Sequence, residues 1–402
     1  MPSKRVKPQR RPHVPSIAIY VETATSWGRR IIGGILEYAR EHGPWHVHIE
    51  PHGPEDAYRI PEGVPLDGII ARVGTVAFAE SLKTAGVPVV NVSSIRLEGH
   101  SFPRVIGSLE ATSRRAAELF RSRGFVHYAY VGNPAKDYVQ TQFHAFERVL
   151  GELGFECAFF NQLDRQTELL RWLRALPKPA AVFCWGPSVG RRVIDACLSA
   201  GITVPHDVAV LGSDYDELLS EASYPPQSGV RFAGEQIGGI AASILDQLMR
   251  GEKPARTHIE VEPLGVVEKL STDTLAVPDK RMAEVIRFIL QNSHRPISID
   301  DVLRANPMAR RSLERRFRKI FGQSVSDQIR QVRINHARLL LSSTSEPITL
   351  IAEKCGFASY TYLSRVFRAA TGLSPREFRA RSKLPAAATN SAAATAVRFS
   401  PR

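Results

Sequence analysis

The stretches Leu313-Glu-Arg-Arg-Phe-Arg-Lys-Ile-Phe-Gly-Gln-Ser324 and Leu363-Ser-Arg-Val-Phe-Arg-Ala-Ala-Thr-Gly-Leu-Ser374, 50 residues apart, are identical at six of their twelve positions. Leu313, Arg315, Phe317, Arg318, Gly322 and Ser324 return as Leu363, Arg365, Phe367, Arg368, Gly372 and Ser374. Leu and Phe four apart share one helical face, and the two arginines share another. The glycine stands where a helix stops, and the serine where the next begins. Each copy reads as an amphipathic helix that buries its apolar side and turns a cationic side to solvent.

Each copy also has a forerunner. Ile299–Ala305, the turn Asn306-Pro307 and Arg310–Phe321 read as helix, turn, helix; Ile348–Cys355, Gly356-Phe357 and Tyr360–Thr371 repeat the arrangement. In such units the second helix enters the major groove and its N-terminal half meets the base edges. That places Arg310, Arg311, Glu314 and Arg315, then Tyr360, Thr361, Ser364 and Arg365, against DNA. Ser298-Ile-Asp-Asp301, Ser324-Val-Ser-Asp327 and Ser374-Pro-Arg-Glu377 each fit a capping box. A spacer over 325–342, roughly 18 residues and about 27 Å long, joins the units. Successive major grooves on one DNA face lie about 34–36 Å apart, so the DNA is expected to bend or the recognition helices to splay. A basic bundle with merely solvated arginines is the bland alternative; two copies with cap, arginine and glycine in register count against it.

Charge agrees with this placement. Residues 280–383 carry 21 Lys and Arg against 8 Asp and Glu, equal to the whole net charge of +13, while residues 12–279 are net −7. A polyanion partner is thereby directed to the C-terminal third. No apolar run reaches the ~20 residues of a membrane span. The N-terminal Lys4, Arg5, Lys7, Arg10 and Arg11 lack the apolar stretch of a signal peptide. Four cysteines in no metal or redox spacing favour a reducing cytoplasm. No metal or cofactor is expected.

From Ser16 onward, apolar runs alternate with amphipathic stretches. Strands are expected at 17–21, 68–71, 87–90, 128–131, 180–184 and 208–212, with helices over 30–41, 110–123, 143–153, 191–200 and 235–250. This alternation implies parallel sheets with helices on both faces, in two lobes split near Gly124. The expected organisation is a flexible basic tail (1–14), an α/β effector domain (15–269), a linker (270–280), an all-helical domain (281–381) and a disordered tail (382–402). A ligand belongs in the cleft, at the carboxyl ends of strands. Trp27, Asn133, Trp185 and Asp214 all follow strands there; aromatic faces suit sugar C–H groups, while amide and carboxylate groups suit hydroxyls.

Ile351-Ala352, Gly356-Phe357, Ser359, Leu363, Phe367, Gly372, Ser374-Pro375 and Phe378-Arg379 resemble the C-terminal signature of AraC/XylS-type transcription regulators, over about residues 297–381. That resemblance implies two helix-turn-helix units reading double-stranded DNA. Asn306-Pro307 departs from it, standing where the family has a small residue and glycine, so the first recognition helix is expected to be tilted or less specific. Asp67-Gly-Ile-Ile70, Gly86-Val-Pro-Val-Val90, Val204-Pro205, Val208-Ala-Val-Leu-Gly212 and Asp214 resemble the periplasmic-binding-protein-like effector domain of LacI/GalR-type repressors. The combination is similar to regulators of the xylose-operon type, which Gly33–Tyr38 and Ser271-Thr272-Asp273 also fit. It implies a two-lobed α/β domain followed by an all-α domain with two helix-turn-helix units. It also implies a homodimer, RNA polymerase as partner, and a monosaccharide such as xylose as effector. Ser108-Leu109 and Gln142 stand where that family has Asp-Asn and a sugar-gripping Arg; two charged contacts are thus missing, which leaves xylose, another sugar or a less polar molecule open as ligand, with Gln142 kept as the candidate contact at its position.

An enzyme reading competes. Gly186-Pro-Ser188-Val-Gly190 matches the G-x-S-x-G nucleophile elbow, and Asp214 and His258 follow in hydrolase order. No oxyanion segment precedes it and the gaps are short, so a strand-to-helix turn explains the glycines equally well.

Overall fold

The computed structural model describes residues 13–53, 56–60, 63–276 and 279–383. The tails expected over 1–14 and 382–402 fall outside these residues except for their inner ends. In chain order the elements are β1 (Ser16–Tyr20), α1 (Ser26–His42), β2 (His46–Ile49), β3 (Gly68–Ala71), α2 (Val76–Thr84), β4 (Val89–Asn91), β5 (Arg104–Gly107), α3 (Leu109–Ser122), β6 (His127–Val131) and α4 (Asp137–Glu152). There follow β7 (Cys157–Phe160), α5 (Gln166–Ala175), β8 (Ala180–Cys184), α6 (Gly186–Ser199), β9 (Val208–Gly212), α7 (Glu217–Glu221), β10 (Ser228–Arg231), α8 (Gly234–Met249), β11 (His258–Val261) and β12 (Gly265–Val267). After a 3-10 turn at Leu270–Thr272 the chain is helical: α9 (Lys280–Asn292), α10 (Ile299–Ala305), α11 (Arg310–Phe321), α12 (Val325–Ser343), α13 (Ile348–Lys354), α14 (Tyr360–Thr371) and α15 (Pro375–Lys383).

Two six-stranded sheets form the lobes, in the orders β11-β5-β4-β3-β1-β2 and β12-β10-β9-β8-β6-β7. Each is parallel except for β12, which runs antiparallel to β10. Helices cover both faces: α1 and α8 bury one face of the first sheet and α2 the other. In the second, α3 and α4 face α5 and α6 across the sheet. The two faces of β8 serve two cores, which is why Ala180–Cys184 reads as an unbroken apolar run.

The chain passes between lobes three times: at Ser108, at Phe232–Ala233 and at Glu262–Leu264. The lobe boundary is therefore not near Gly124. Helix α3 already belongs to the second lobe, where Ala116, Ala117 and Phe120 join its core, and α8 with β11 return to the first. Pattern reading along the chain assumes continuous lobes and misses such a return. The crossings are tied together: Ser108 N–H donates to Val261 O at 2.9 Å, and Leu264 N–H to Arg231 O at 2.9 Å.

The segment expected as a linker is docked instead. Ser271 and Thr272 are fully buried. Ser271 Oγ donates to Val210 O at 2.6 Å and accepts from Ser228 N–H at 2.8 Å. Ala276 N–H reaches Arg123 O at 2.8 Å, and its side chain enters the second lobe's core. Six short or edge strands (β2, β5, β7, β10, β11 and β12) escaped the periodicity reading, because three or four residues carry too little pattern.

The C-terminal domain has two small cores around one helix. Val325 and Ile329 of α12 pack with Leu313, Phe317, Phe321, Val302 and the α9 residues Met282, Val285, Ile286 and Ile289. Ile334, Ala337 and Leu341, further along α12, pack with Ile351, Ala352, Cys355, Leu363 and Phe367. The expected caps are present: Ser298 and Asp301 form a capping box, and Gly322 and Gly372 end α11 and α14 at φ 69° and 73°. Ser271→Ala would strand a buried N–H and carbonyl. We expect a loss of about 1–3 kcal/mol in denaturant unfolding, against a near-neutral result if the segment were a free linker.

Candidate DNA-reading face and effector cleft

The residues expected to face DNA emerge as two matching exposed surfaces. On α11, Leu313, Phe317 and Phe321 are buried, while Arg310, Arg311 and Arg315 are exposed. Glu314 is half-buried with one carboxylate oxygen unpartnered, beside Arg311, Arg315, Arg318 and Lys319. On α14, Leu363, Val366 and Phe367 are buried, while Tyr360, Thr361 and Arg365 are exposed and Ser364 is half-buried. The Arg365 guanidinium lies over the Tyr362 ring at 5.3 Å, which steadies it without neutralising it.

The two turns differ as their sequences suggest. Gly356 takes φ 71°, and a methyl group there would fall 2.4 Å from Ser293 O. In the first unit no left-handed residue is used: Asn306 is extended at φ −131°, and its side-chain amide donates to Val302 O at 3.1 Å. Arg333 of α12 fastens the α9–α10 connection to α12, donating to Ser293 O at 3.0 Å and Ile297 O at 3.2 Å.

Between the lobes, Asp214 follows β9 and meets Arg30 of α1 at 3.5 Å. Arg30 also donates to Tyr215 O at 2.8 Å. This ion pair bridges the lobes, and both side chains are largely buried. Burial raises the Asp214 carboxyl to about 6, although Arg30 pulls the other way. Trp27 packs near Phe232 of the second crossing, ring centroids 6.0 Å apart, and Trp185 follows β8 against Tyr138 at 4.9 Å. Asn133 is exposed, but its side-chain oxygen accepts from Ala135 N–H at 2.9 Å, so it serves a turn. Gln142 is corrected: it is 1% exposed and accepts from Tyr130 Oη at 3.1 Å inside the second lobe. Helical phase turned it into the core between α4 and β6.

Sequence reading missed Glu22, Arg72, Arg30 and Gln227. Parallel sheets bind ligands where the strand order reverses, which here falls between β1 and β3 and between β6 and β8. Glu22 follows β1 and Arg72 follows β3, 3.6 Å apart. Glu22 is 5% exposed, its Oε2 has no partner, and burial raises its pKa with Arg72 opposing. A charged pair just past an apolar strand was the available signal. Gln227, also buried, leaves both amide atoms unpartnered.

The hydrolase arrangement is not assembled among the described residues. Asp214 is held by Arg30, and His258 lies on β11 of the first sheet, near Arg104 and Glu260 at 3.4 Å. The glycines have a structural cause: Gly186 takes φ 73°, and a methyl group on Gly190 would fall 2.0 Å from the Gln227 amide.

The helical domain and the two-lobed domain meet at the third crossing. Arg338 of α12, its side chain 4% exposed, donates to Glu262 Oε2 at 3.1 Å. Its guanidinium lies 5.4 Å from the centre of the Phe378 ring of α15. Arg115 of α3 approaches the same carboxylate oxygen at 4.0 Å. Burial, with Arg115 adding repulsion, lowers Arg338 to about 10.

Residues 117–272 match the periplasmic binding protein-like domain family, and residues 303–381 match a helix-turn-helix domain family. The chain is 27% identical to the xylose operon regulatory protein of Escherichia coli (strain K12), over 90% of this chain and 96% of that one. It is 36% identical over 106 residues to the transcriptional activator RhaR of Yersinia pseudotuberculosis, covering 26% of this chain and 37% of the activator. The solved structure of a xylose-binding transcription activator superposes with a TM-score of 0.58 at 25% identity, covering 90% of this chain and 97% of that one.

Arg365→Ala and Arg315→Ala are each expected to weaken specific DNA binding by about 1–3 kcal/mol. Equal losses on random duplexes in fluorescence anisotropy would assign them to phosphates instead. Glu262→Gln leaves Arg338 facing Arg115 unpaired. It should speed hydrogen exchange in α12 while leaving the lobes unchanged; identical exchange would mean the contact holds nothing.

Proposed function

We propose, from the premise that the chain belongs to the AraC-type transcription regulators with a periplasmic-binding-protein-like sensor, that it activates a carbohydrate-utilisation operon in response to a monosaccharide. The observation that carries the reading is the Arg338–Glu262 contact, which joins the helix between the two DNA-reading units to a crossing of the two-lobed sensor. The relatives' own names, a xylose operon regulator and a xylose-binding activator, support xylose or a related sugar as effector. We read the protein as a cytoplasmic homodimer that recruits RNA polymerase. No helix among the described residues is long and apolar enough to cross a membrane. We read the chain as a regulator and not an enzyme, as its relatives are.

A sugar in the cleft offers hydroxyl donors to Asp214 and Glu22, with Trp27 and Trp185 nearby for its C–H faces. Closure around it rotates one lobe against the other about the crossings, and α12 is docked there. Helix α12 touches β12 of the second lobe, while α15 touches α8 of the first, so closure changes the reader's seat.

Calorimetry against pentoses and hexoses tests the reading. A saturable sugar should appear, and Asp214→Asn should weaken it by about 1.5–3 kcal/mol, the range for a hydrogen bond to a charged group; unchanged affinity would place the site elsewhere. Asp214 accepts hydroxyls best as the carboxylate, which dominates above its pKa of about 6. Affinity should therefore fall as pH drops through about 6, and a flat profile from pH 8 to pH 5 would remove Asp214 from the contact.

A further inference from the structure

We propose that the first lobe carries a second small-molecule site, beside the Glu22–Arg72 pair and toward the sheet edge, for a small anion bearing a carboxylate or phosphate group. A cavity of 240 Å³ lies beneath the segment between β4 and β5, lined by Arg96, His100, Arg104, His258, Asn91 and Thr257 among others. It opens at the carboxyl ends of β3 and β4, where Val73 follows Arg72, and extends toward the β5 and β11 edge of the sheet, away from the reversal of strand order between β1 and β3. Its apolar floor, Val73, Leu97 and Phe102, belongs to the α2 side and not to the α1–α8 side.

Two features of this cavity ask for an anion. Arg96 and Arg104 bring two guanidinium groups to one cavity; Arg104 is held below the usual arginine range by burial and by Arg96 beside it. Like charges gathered around a shared space are relieved by an oxyanion between them, and guanidinium groups bind carboxylate or phosphate through paired N–H donors. The second feature is His100. Its side chain is 7% exposed, Nε2 lies 3.2 Å from Glu80 Oε1, and Nδ1 is buried without a partner. With Glu80 accepting from Nε2–H, the open Nδ1 is the ring nitrogen left to face a bound ligand.

The acids facing the cavity are already engaged. Glu80 is shared between His100 and Lys83, the latter at 3.6 Å, and Glu260 lies 3.4 Å from His258 Nε2. Arg104 Nε donates to His258 Nδ1 at 3.4 Å, so the β5 and β11 strands hold the basic wall in place. The size suits a single metabolite. Such a site would let the regulator register an acidic or phosphorylated product beside its cleft ligand.

Calorimetry on the full chain, with inorganic phosphate, citrate and glucose 6-phosphate as probes at ionic strength fixed by chloride, tests this. At least one probe should bind saturably, and both Arg96→Ala and Arg104→Gln should weaken it tenfold or more. Citrate alone would assign a carboxylate, phosphate or the sugar phosphate alone a phosphate group. No saturable binding, or binding that survives both substitutions, overturns the proposal. Arg96 is exposed, so its variant reports even if Arg104→Gln lowers stability. Sugar binding measured in the same samples separates failure here from failure of the cleft reading.

Discussion

Everything the C-terminal domain does depends on α12 belonging to two cores at once. Val325 and Ile329 anchor its start in the first unit, and Ile334, Ala337 and Leu341 anchor its end in the second. A 19-residue helix spans about 28 Å at 1.5 Å per residue. Rotating one recognition helix against the other would tear an apolar core, so their separation is a property of the fold and not of a flexible tether. The same helix carries Arg338 into the junction with the sensor. A buried guanidinium is costly unless paired. Its partner, Glu262, lies where the chain passes between lobes, so any motion there alters the charge environment of Arg338.

The sensor half is organised around a comparable constraint. Its two lobes are joined by three crossings that hydrogen-bond to one another, and Arg30 and Asp214 pair across them. Burial holds the Asp214 carboxyl at about 6, so its charged form is less comfortable than that of an exposed aspartate. In the function proposed above, a polyhydroxylated ligand that donates to this carboxylate would stabilise its charged form. Glu22, buried with an open oxygen, places a similar demand on the opposite lobe.

The reading helices were legible because they are long, strongly periodic and repeated. Leu313 and Phe317, with Leu363 and Phe367, point inward as their spacing requires, and the arginines point outward. The parallel strands with unbroken apolar runs, Gly68–Ala71, Ala180–Cys184 and Val208–Gly212, were found at their observed bounds. What escaped was long-range. The return of α8 and β11 to the first lobe has no local signature, and neither does the burial of Ser271 between β9 and β10. Gln142 was expected at the cleft from the resemblance alone, whereas it packs in the second lobe's core and accepts from Tyr130 Oη. Arg30 and Glu22 were passed over because their importance comes from partners distant in sequence or from the absence of one.

In the function proposed above, one chain couples a sugar-binding cleft to a paired DNA reader. The most direct test of this coupling is the equilibrium affinity of the full-length protein for its promoter duplex, at one fixed salt concentration, with and without saturating monosaccharide. Coupling free energies of about 1–3 kcal/mol correspond to roughly 5- to 150-fold, and a change in that range is the predicted result. The same dissociation constant in both conditions, for a sugar that calorimetry shows to be bound, would contradict the account.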